Sequence, residues 1–328
     1  MKSLSYPGIP RHALTASALL LSATAWCADV WPVKPVRMVV PYAPGGPVDL
    51  IARPLAQRLS EALGQSAIID NRAGANGNIG AELVAKSAPD GYTLLVGSKS
   101  QLTINPLLYG RASFDPVRDL APISLVASSP SGLMVHPSLP VKTLKEFTAL
   151  VRARPAKLSY ASAGSGSANH LAAELYKMLA RVDMLHVPFK GGGPALNAVV
   201  GGQIEVIFIS VPLTLPFVKA GRLRALAICA DKRIAVMPEV PTTAEAGLPG
   251  HESGAGVGLL APAGTPRAII ARLHTETARI LAQGDTRDKL IAQGQEVIGG
   301  TPEQFSAVLR EEMERWAKVV KAANVRID

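Results

Sequence analysis

From residue 36 onward, short apolar runs of strand character alternate with amphipathic runs of helical period. Nothing else in the chain restricts its fold as much. "VRMVVPY" reads as a buried strand, and the stretch after it carries Ile51, Leu55, Leu59 and Leu63 at intervals of four. Pro54 sits inside that stripe and is expected to kink the helix or delay its start. "SAIIDN" is a second strand, "RAGANGNIG" a glycine loop, "AELVAKSA" a helix and "YTLLVGS" another strand. "APISLVASSPSGLMVHP" holds one or two strands more. Helix "TLKEFTALVRAR", strand "KLSYAS", helix "ANHLAAELYKMLA", strand "MLHVPF" and helix "PALNAVVGG" follow, then strands "EVIFIS", "LRALAIC" and "GVGLLAPAG". Three helical stretches, from Pro266, Asp285 and Pro302, close the chain. Strands separated by helices form parallel sheets with short βα turns, so an α/β architecture is expected.

At 328 residues the chain exceeds what one hydrophobic core usually serves, which points to two lobes. Lys2 and Arg11 precede an apolar stretch, Ala13–Ala25, that is too short to span a bilayer as a mature helix. Residues 1–28 therefore read as a signal peptide and the chain as exported; Trp26 is too bulky for a lipoprotein signal at Cys27. Cys229, alone in "LRALAICA", is expected to be a buried small hydrophobe. The formal charge of +9 falls to +7 without Lys2 and Arg11. The basic residues are scattered, with no stripe interleaved with aromatics, so a nucleic-acid partner is not expected.

In parallel sheets ligands bind beyond the carboxyl ends of the strands, where βα turns meet helix N-termini. Three turns qualify. Tyr42-Ala43-Pro44-Gly45-Gly46 follows the first strand; Ser162-Ala163-Gly164-Ser165-Gly166-Ser167 precedes the helix holding His170; and Lys190 opens a third turn with Gly191, Gly192 and Gly193. Glycines let backbone N–H groups approach an anion at a helix N-terminus, and the serine hydroxyls add donors. Each turn taken singly is also explained by capping and tight turning. Three together, with no nucleophile–base set and no metal-ligand set, point to binding of an anion, without cofactor or metal.

The segments "VRMVVPYAPGGPVDLIARPLAQRLSEALGQ", "INPLLYG", "DPVRDLAPISLVA", "LSYASAGSGSANHLAAELYK", "HVPFKGGGPALNAVVGGQIEVIF" and "PEVPTTAEAGLPG" resemble, in order, the Bug-type (TctC-like) extracytoplasmic solute receptors. These serve tripartite tricarboxylate transporters. The resemblance implies a type II periplasmic binding fold: two α/β lobes with parallel-dominated sheets around a central ligand cleft. It implies a small carboxylate ligand (a dicarboxylate, tricarboxylate, acidic amino acid or more apolar carboxylate), membrane permease subunits as partners, a periplasmic location and a monomer. The implied ligand set is Tyr42 to Gly46 with Asp49, Ser98, Ser162 to Ser167 with His170, Lys190, Gly192 and Ser210. Asp49 is expected to brace the loop or cap the helix, although in the family an acid here can receive a ligand's cationic group. Residues 29–130 plus 251–328 should form lobe one and 131–250 lobe two, with crossings at Ser128–Gly132 and Gly247–Gly258.

Two positions depart from the family's pattern. Relatives usually carry an acid and then an amide or hydroxyl after the Phe, where this chain has Phe208-Ile209-Ser210, and Gly256-Val257 stands where relatives tend to carry aromatics. A roomier or more apolar cleft is the expectation. Two other functions compete with the transport reading: a receptor that presents its ligand to a membrane sensor, and an exported serine hydrolase using Ser165 or Ser167. "GSGSA" is out of register for a nucleophile elbow, which weighs against the hydrolase.

Overall fold

The computed structural model describes residues 31–109, 114–282 and 284–325; the signal segment and Cys27 lie outside them. In the first lobe β1 (Val36–Val40) runs between β2 (Ala67–Asn71) and β3 (Thr93–Ser98), parallel to both. Successive β1 side chains meet different layers. Met38 and Val40 pack with α1 (Pro47–Leu63), while Val39 packs with α2 (Asn78–Ala85). With both faces covered, the strand is apolar except for Arg37, which pairs with Asp70 of β2.

The α1 stripe of Ile51, Leu55, Leu59 and Leu63 is buried as the spacing demands, each side chain contributing roughly 1.5–3 kcal/mol. Pro54 does not delay the helix, which begins at Pro47 and continues through it. The carbonyl that loses its helical donor belongs to Leu50, a residue 52% exposed, so water can serve it.

The second lobe repeats the scheme. β5 (Ser159–Ser162) lies between β6 (Leu185–Pro188) and β7 (Val206–Ser210), again parallel to both. Residues of α5 (Leu144–Ala153) and α6 (Ala168–Ala180) pack on one face, and those of α7 (Gly192–Val200) and α8 (Val211–Lys219) on the other. The proline-bearing helix α8 was not legible in "VPLTLPFVK". Cys229, which follows β8 (Arg224–Ile228), is buried, and burial pushes its thiol up to about 12.

"APISLVASSPSGLMVHP" contains a single long strand, β4 (Leu120–Val135). Leu120 to Pro130 pair with β9 (Gly254–Pro262), whereas Ser131 to Val135 pair with β7 and β8. β4 therefore changes partners at Pro130–Ser131, and the result is one curled 10-stranded sheet. Every pairing made by β4 and β9 is antiparallel, so parallel pairing is confined to the outer strands of each lobe. The reason is topological: one of these strands carries the chain out of the first lobe and the other brings it back.

After β9 come α9 (Arg267–Ala282), α10 (Asp285–Ala292), the short β10 (Glu296–Val297) and α11 (Pro302–Ala322). Trp316 and Val319 of α11 pack with Leu171 and Leu175 of α6 and with Ile104, so apolar packing ties the returning helix to the second lobe.

Strand direction positions the site. β3 is antiparallel to β9 and β9 to β4, so β1, β2 and β3 run the same way as β4, toward the partner change. β7 is antiparallel to β4, with Ser210 opposite Ser131, so β5, β6 and β7 run toward the same place from the other lobe. The carboxyl ends of both sets of strands thus point at the crossover from opposite sides.

Candidate ligand-binding site

In lobe one the chain leaves β1 through Tyr42–Gly46 and enters α1. Gly45 takes φ +80°, a left-handed turn that a side chain disfavours, whereas Gly46 sits at φ −75° as the helix cap. Gly46 offers no side-chain cap, so the first N–H groups of α1 keep their donor capacity for something else. Ala43, Pro44 and Gly45 are exposed.

Asp49 is 1% exposed and holds this turn in shape. Its carboxylate accepts from Gly45 N–H at 2.9 Å, Arg53 Nε at 2.7 Å and Asn71 Nδ2 at 3.0 Å. Burial opposes its ionisation, but these bonds, Arg53's foremost, outweigh that and hold the carboxyl below its ordinary range. The loop-bracing role expected of Asp49 is the one its partners describe. Asn71 also donates to the Tyr42 carbonyl at 3.0 Å. It stands at the carboxyl end of β2, and that placement was the available clue.

Tyr42 Oη and Ser98 Oγ share a 2.8 Å hydrogen bond, and Ser98 Oγ accepts the Gln101 N–H to cap α3 (Lys99–Thr103). Burial raises the Tyr42 hydroxyl to about 12, so it remains a neutral donor or acceptor.

The Gly–Ser loop of lobe two is held as tightly. Ser162 is fully buried, and its Oγ accepts Gly164 N–H at 3.1 Å and meets His186 Nε2 at 2.6 Å. Ser167 Oγ donates to Gly164 O at 2.7 Å and accepts His170 N–H at 3.4 Å, capping α6. His170 Nδ1 accepts Gly166 N–H at 3.0 Å. Ser165 is exposed, with Ala163 half-buried. Of the two serines a hydrolase was expected to use, Ser167 is not paired with a base: its proton goes to a carbonyl, and the His170 acceptor takes a backbone amide. His186 was missed by the sequence reading, because one histidine inside a strand carries no motif.

The third turn runs beside the second. Phe189 N–H donates to Ser162 O at 2.9 Å and Gly191 N–H to Ala163 O at 3.2 Å, which flanks Lys190 with loop contacts and places Gly192 at the start of α7. Lys190 is exposed. Ser210 ends β7 as the cap of α8, and nearby Asn169 Nδ2 donates to Phe208 O at 2.7 Å. Tyr42, Gly45, Asp49 and Ser98 thus belong to one hydrogen-bonded set, with Asn71, and Ser162, Gly164, Gly166, Ser167 and His170 to another, while Ser210 stands at the crossover end.

The expected roomier, more apolar cleft is not what these positions create. Val257 is 3% exposed and belongs to the lobe-one core. Beside Gly256 the stem of Lys99 fills the space: an added Cβ would lie 2.5 Å from Lys99 Cε. Lys99 Nζ in turn bonds Glu312 Oε1 of α11 at 2.5 Å. Ile209 is likewise a core residue, 2% exposed, and lies beneath Gly192.

Comparison with known proteins agrees with this architecture. The model of the tripartite tricarboxylate transporter family receptor (TctC) matches residues 51–325. The chain belongs to that family. Members include the Bordetella pertussis protein BugT, 36% identical over 301 residues that cover 92% of each chain. A Pseudomonas sp. (strain P51) protein encoded between tcbD and tcbE is 38% identical over 314 residues, 94% of this chain and 93% of that one. Among solved structures, this TctC-family receptor is similar to R. palustris Rpa4515 with adipate: 38% identity, TM-score 0.79, covering 90% of this chain and 99% of that one. It is also similar to MatC of Rhodopseudomonas palustris with bound malate: 38% identity, TM-score 0.75, covering 88% and 99%. The family is one of periplasmic solute-binding receptors, and among the described residues of this member no helix is long and apolar enough to cross a membrane.

Proposed function

We propose that this receptor, exported to the periplasm, captures a small carboxylate between the Tyr42–Asp49 and Ser162–His170 loops and passes it to permease subunits of a tripartite tricarboxylate-type transporter. It does so without converting its ligand. Lys190, Gly192, Ser98 and Ser210 complete the cleft. The lobes comprise residues 29–130 plus 251–328 and 131–250, and closure bends the chain at Ser128–Gly132 and Gly247–Gly258.

One observation carries the reading. Two glycine-rich turns, each opening a helix, terminate strands that point at one crossover from opposite lobes. Donors so arranged suit an anion. Each helix N-terminus contributes about 0.3–1 kcal/mol and each hydrogen bond to a charged acceptor about 1.5–3 kcal/mol. After the cost of closure, micromolar binding, about −8 kcal/mol, is the expected scale. The adipate and malate bound to the two similar structures support a carboxylate.

The test is a melting screen of mono-, di- and tricarboxylates and acidic amino acids, with amides and esters as controls. A ligand at a hundredfold its Kd should stabilise the protein by about 2.7 kcal/mol, an upward shift of a few degrees. Shifts by uncharged analogues and by no carboxylate refute the anion reading. Disappearance of a ligand with turnover refutes the receptor reading.

A further inference from the structure

Beneath the Gly–Ser loop two imidazoles lie face to face. His170 of α6 and His186 of β6 have ring centroids 3.9 Å apart and planes within 5°, and Tyr160 of β5 stacks on His186 at 5.0 Å. Their ring nitrogens hold different parts of one loop: His170 Nδ1 takes Gly166 N–H, and His186 Nε2 meets the hydroxyl that also receives Gly164 N–H. A backbone N–H can only donate, so His170 Nδ1 must be unprotonated, and the neutral ring carries its proton on Nε2.

We infer that His170, backed by His186, is a positioning residue for the carboxylate-holding loop: its neutral imidazole fixes Gly166, and protonation releases that loop and weakens ligand binding. This rests on the proposed use of the loop for binding. A proton on Nδ1 would set N–H against N–H and expel the Gly166 amide. The His186 contact survives protonation: Nε2 can donate to Ser162 Oγ while the serine proton faces Gly164 O, 3.1 Å away. His170 is therefore the sensitive member.

The surrounding charges divide. Glu174 Oε1 lies 3.9 Å from His170 Nε2 and favours the charged ring. That carboxylate is already engaged by Tyr160 Oη at 2.5 Å and Lys177 Nζ at 2.8 Å, and Lys177 also reaches Asp183 at 3.2 Å. Burial first, then Lys177, opposes the charge and keeps His170 below its ordinary range; burial and the His170 ring hold His186 at about 4. The loop is thus locked at neutral pH and unlocks only in acid.

The test starts with ligand-free protein labelled with nitrogen-15, titrated from pH 8 to 4. The Gly166 amide resonance should follow the His170 ring titration, and this movement should vanish in His170→Asn, whose Oδ1 can accept in place of Nδ1 without titrating. Calorimetry with malate and with adipate forms the second arm. His170→Phe keeps the stack but removes the acceptor and should weaken binding about tenfold at pH 7.5. From pH 7.5 to 5 the wild type should lose about threefold more affinity than His170→Asn, the ratio cancelling the ligand's own titration. A Gly166 amide indifferent to His170 protonation overturns the inference, as does a folded Phe variant that binds like wild type. If neither acid binds wild type and the carboxylate screen is empty, the proposed function fails, while the amide titration still decides the positioning role. Should the Phe variant not fold, the Asn variant and the amide titration decide alone.

Discussion

Lowering the pH should destabilise this receptor through His251, a fully buried residue where the chain returns toward β9. Its Nε2 donates to Ala172 O of α6 at 2.8 Å, leaving a buried Nδ1 without a partner among the described residues. A second proton would have to sit on that nitrogen. Burial, reinforced by the charge of Arg315, therefore lowers the imidazole from 6.5 to about 4, against the pull of the Ala172 carbonyl. The folded state resists a proton that the unfolded chain accepts. Stability is complete above pH 6.5, falls as pH drops from 6.5 toward 4 and levels off below. The full span is worth about 3 kcal/mol, and the loss between pH 7.5 and 5 about 2 kcal/mol. Urea unfolding of wild type and His251→Gln at pH 7.5, 6 and 5 isolates this residue, because other titrating groups contribute equally to both. The variant should lose about 2 kcal/mol less than wild type over that range. Parallel losses would refute the argument that an unprotonated Nδ1 is built into the fold.

Gly46→Val should leave folding intact, since φ is −75° and the nearest atom to an added Cβ is Ala43 O at 3.4 Å, yet abolish carboxylate binding in the melting screen. Gly45→Ala should instead cost about 1 kcal/mol of stability, because that residue is at φ +80°; a Val variant with unchanged affinity would clear this loop of ligand contact. Glu312→Leu should cost about 3 kcal/mol in chemical denaturation by stranding Lys99, whose side chain is 11% exposed, and adding Lys99→Met should restore most of it. A single variant as stable as the double one would show the pair to be dispensable.

Much of this receptor was legible locally. The four-residue spacing of Ile51, Leu55, Leu59 and Leu63 specified the buried face of α1, and glycine and serine between "KLSYAS" and "ANHLAAEL" marked a strand-to-helix turn. Such signals survive in sequence because helix period, capping and positive φ depend on neighbours a few residues away. The same locality explains the misses. Pro54 suggested a break, but the cost of one missing hydrogen bond is small where its carbonyl faces water and the stripe beneath it is fully buried. β10 has two residues and no pattern of its own; it exists because Ser128 and Ala127 offer it an edge.

What the tertiary structure alone decided concerns pairs distant in sequence. The space beside Gly256 looked empty in the sequence and is filled by Lys99, which Glu312 draws across it. His186 gave no signal until β5 and β6 paired and set it under Ser162 and against His170. The strands' common aim at the crossover follows from β4 exchanging partners at Pro130–Ser131, which no window of sequence contains. Local sequence determines which turns can hold an anion. Only the packing of distant strands, through burial and the register of their hydrogen bonds, determines which turns meet and which neutral side chains hold them in shape.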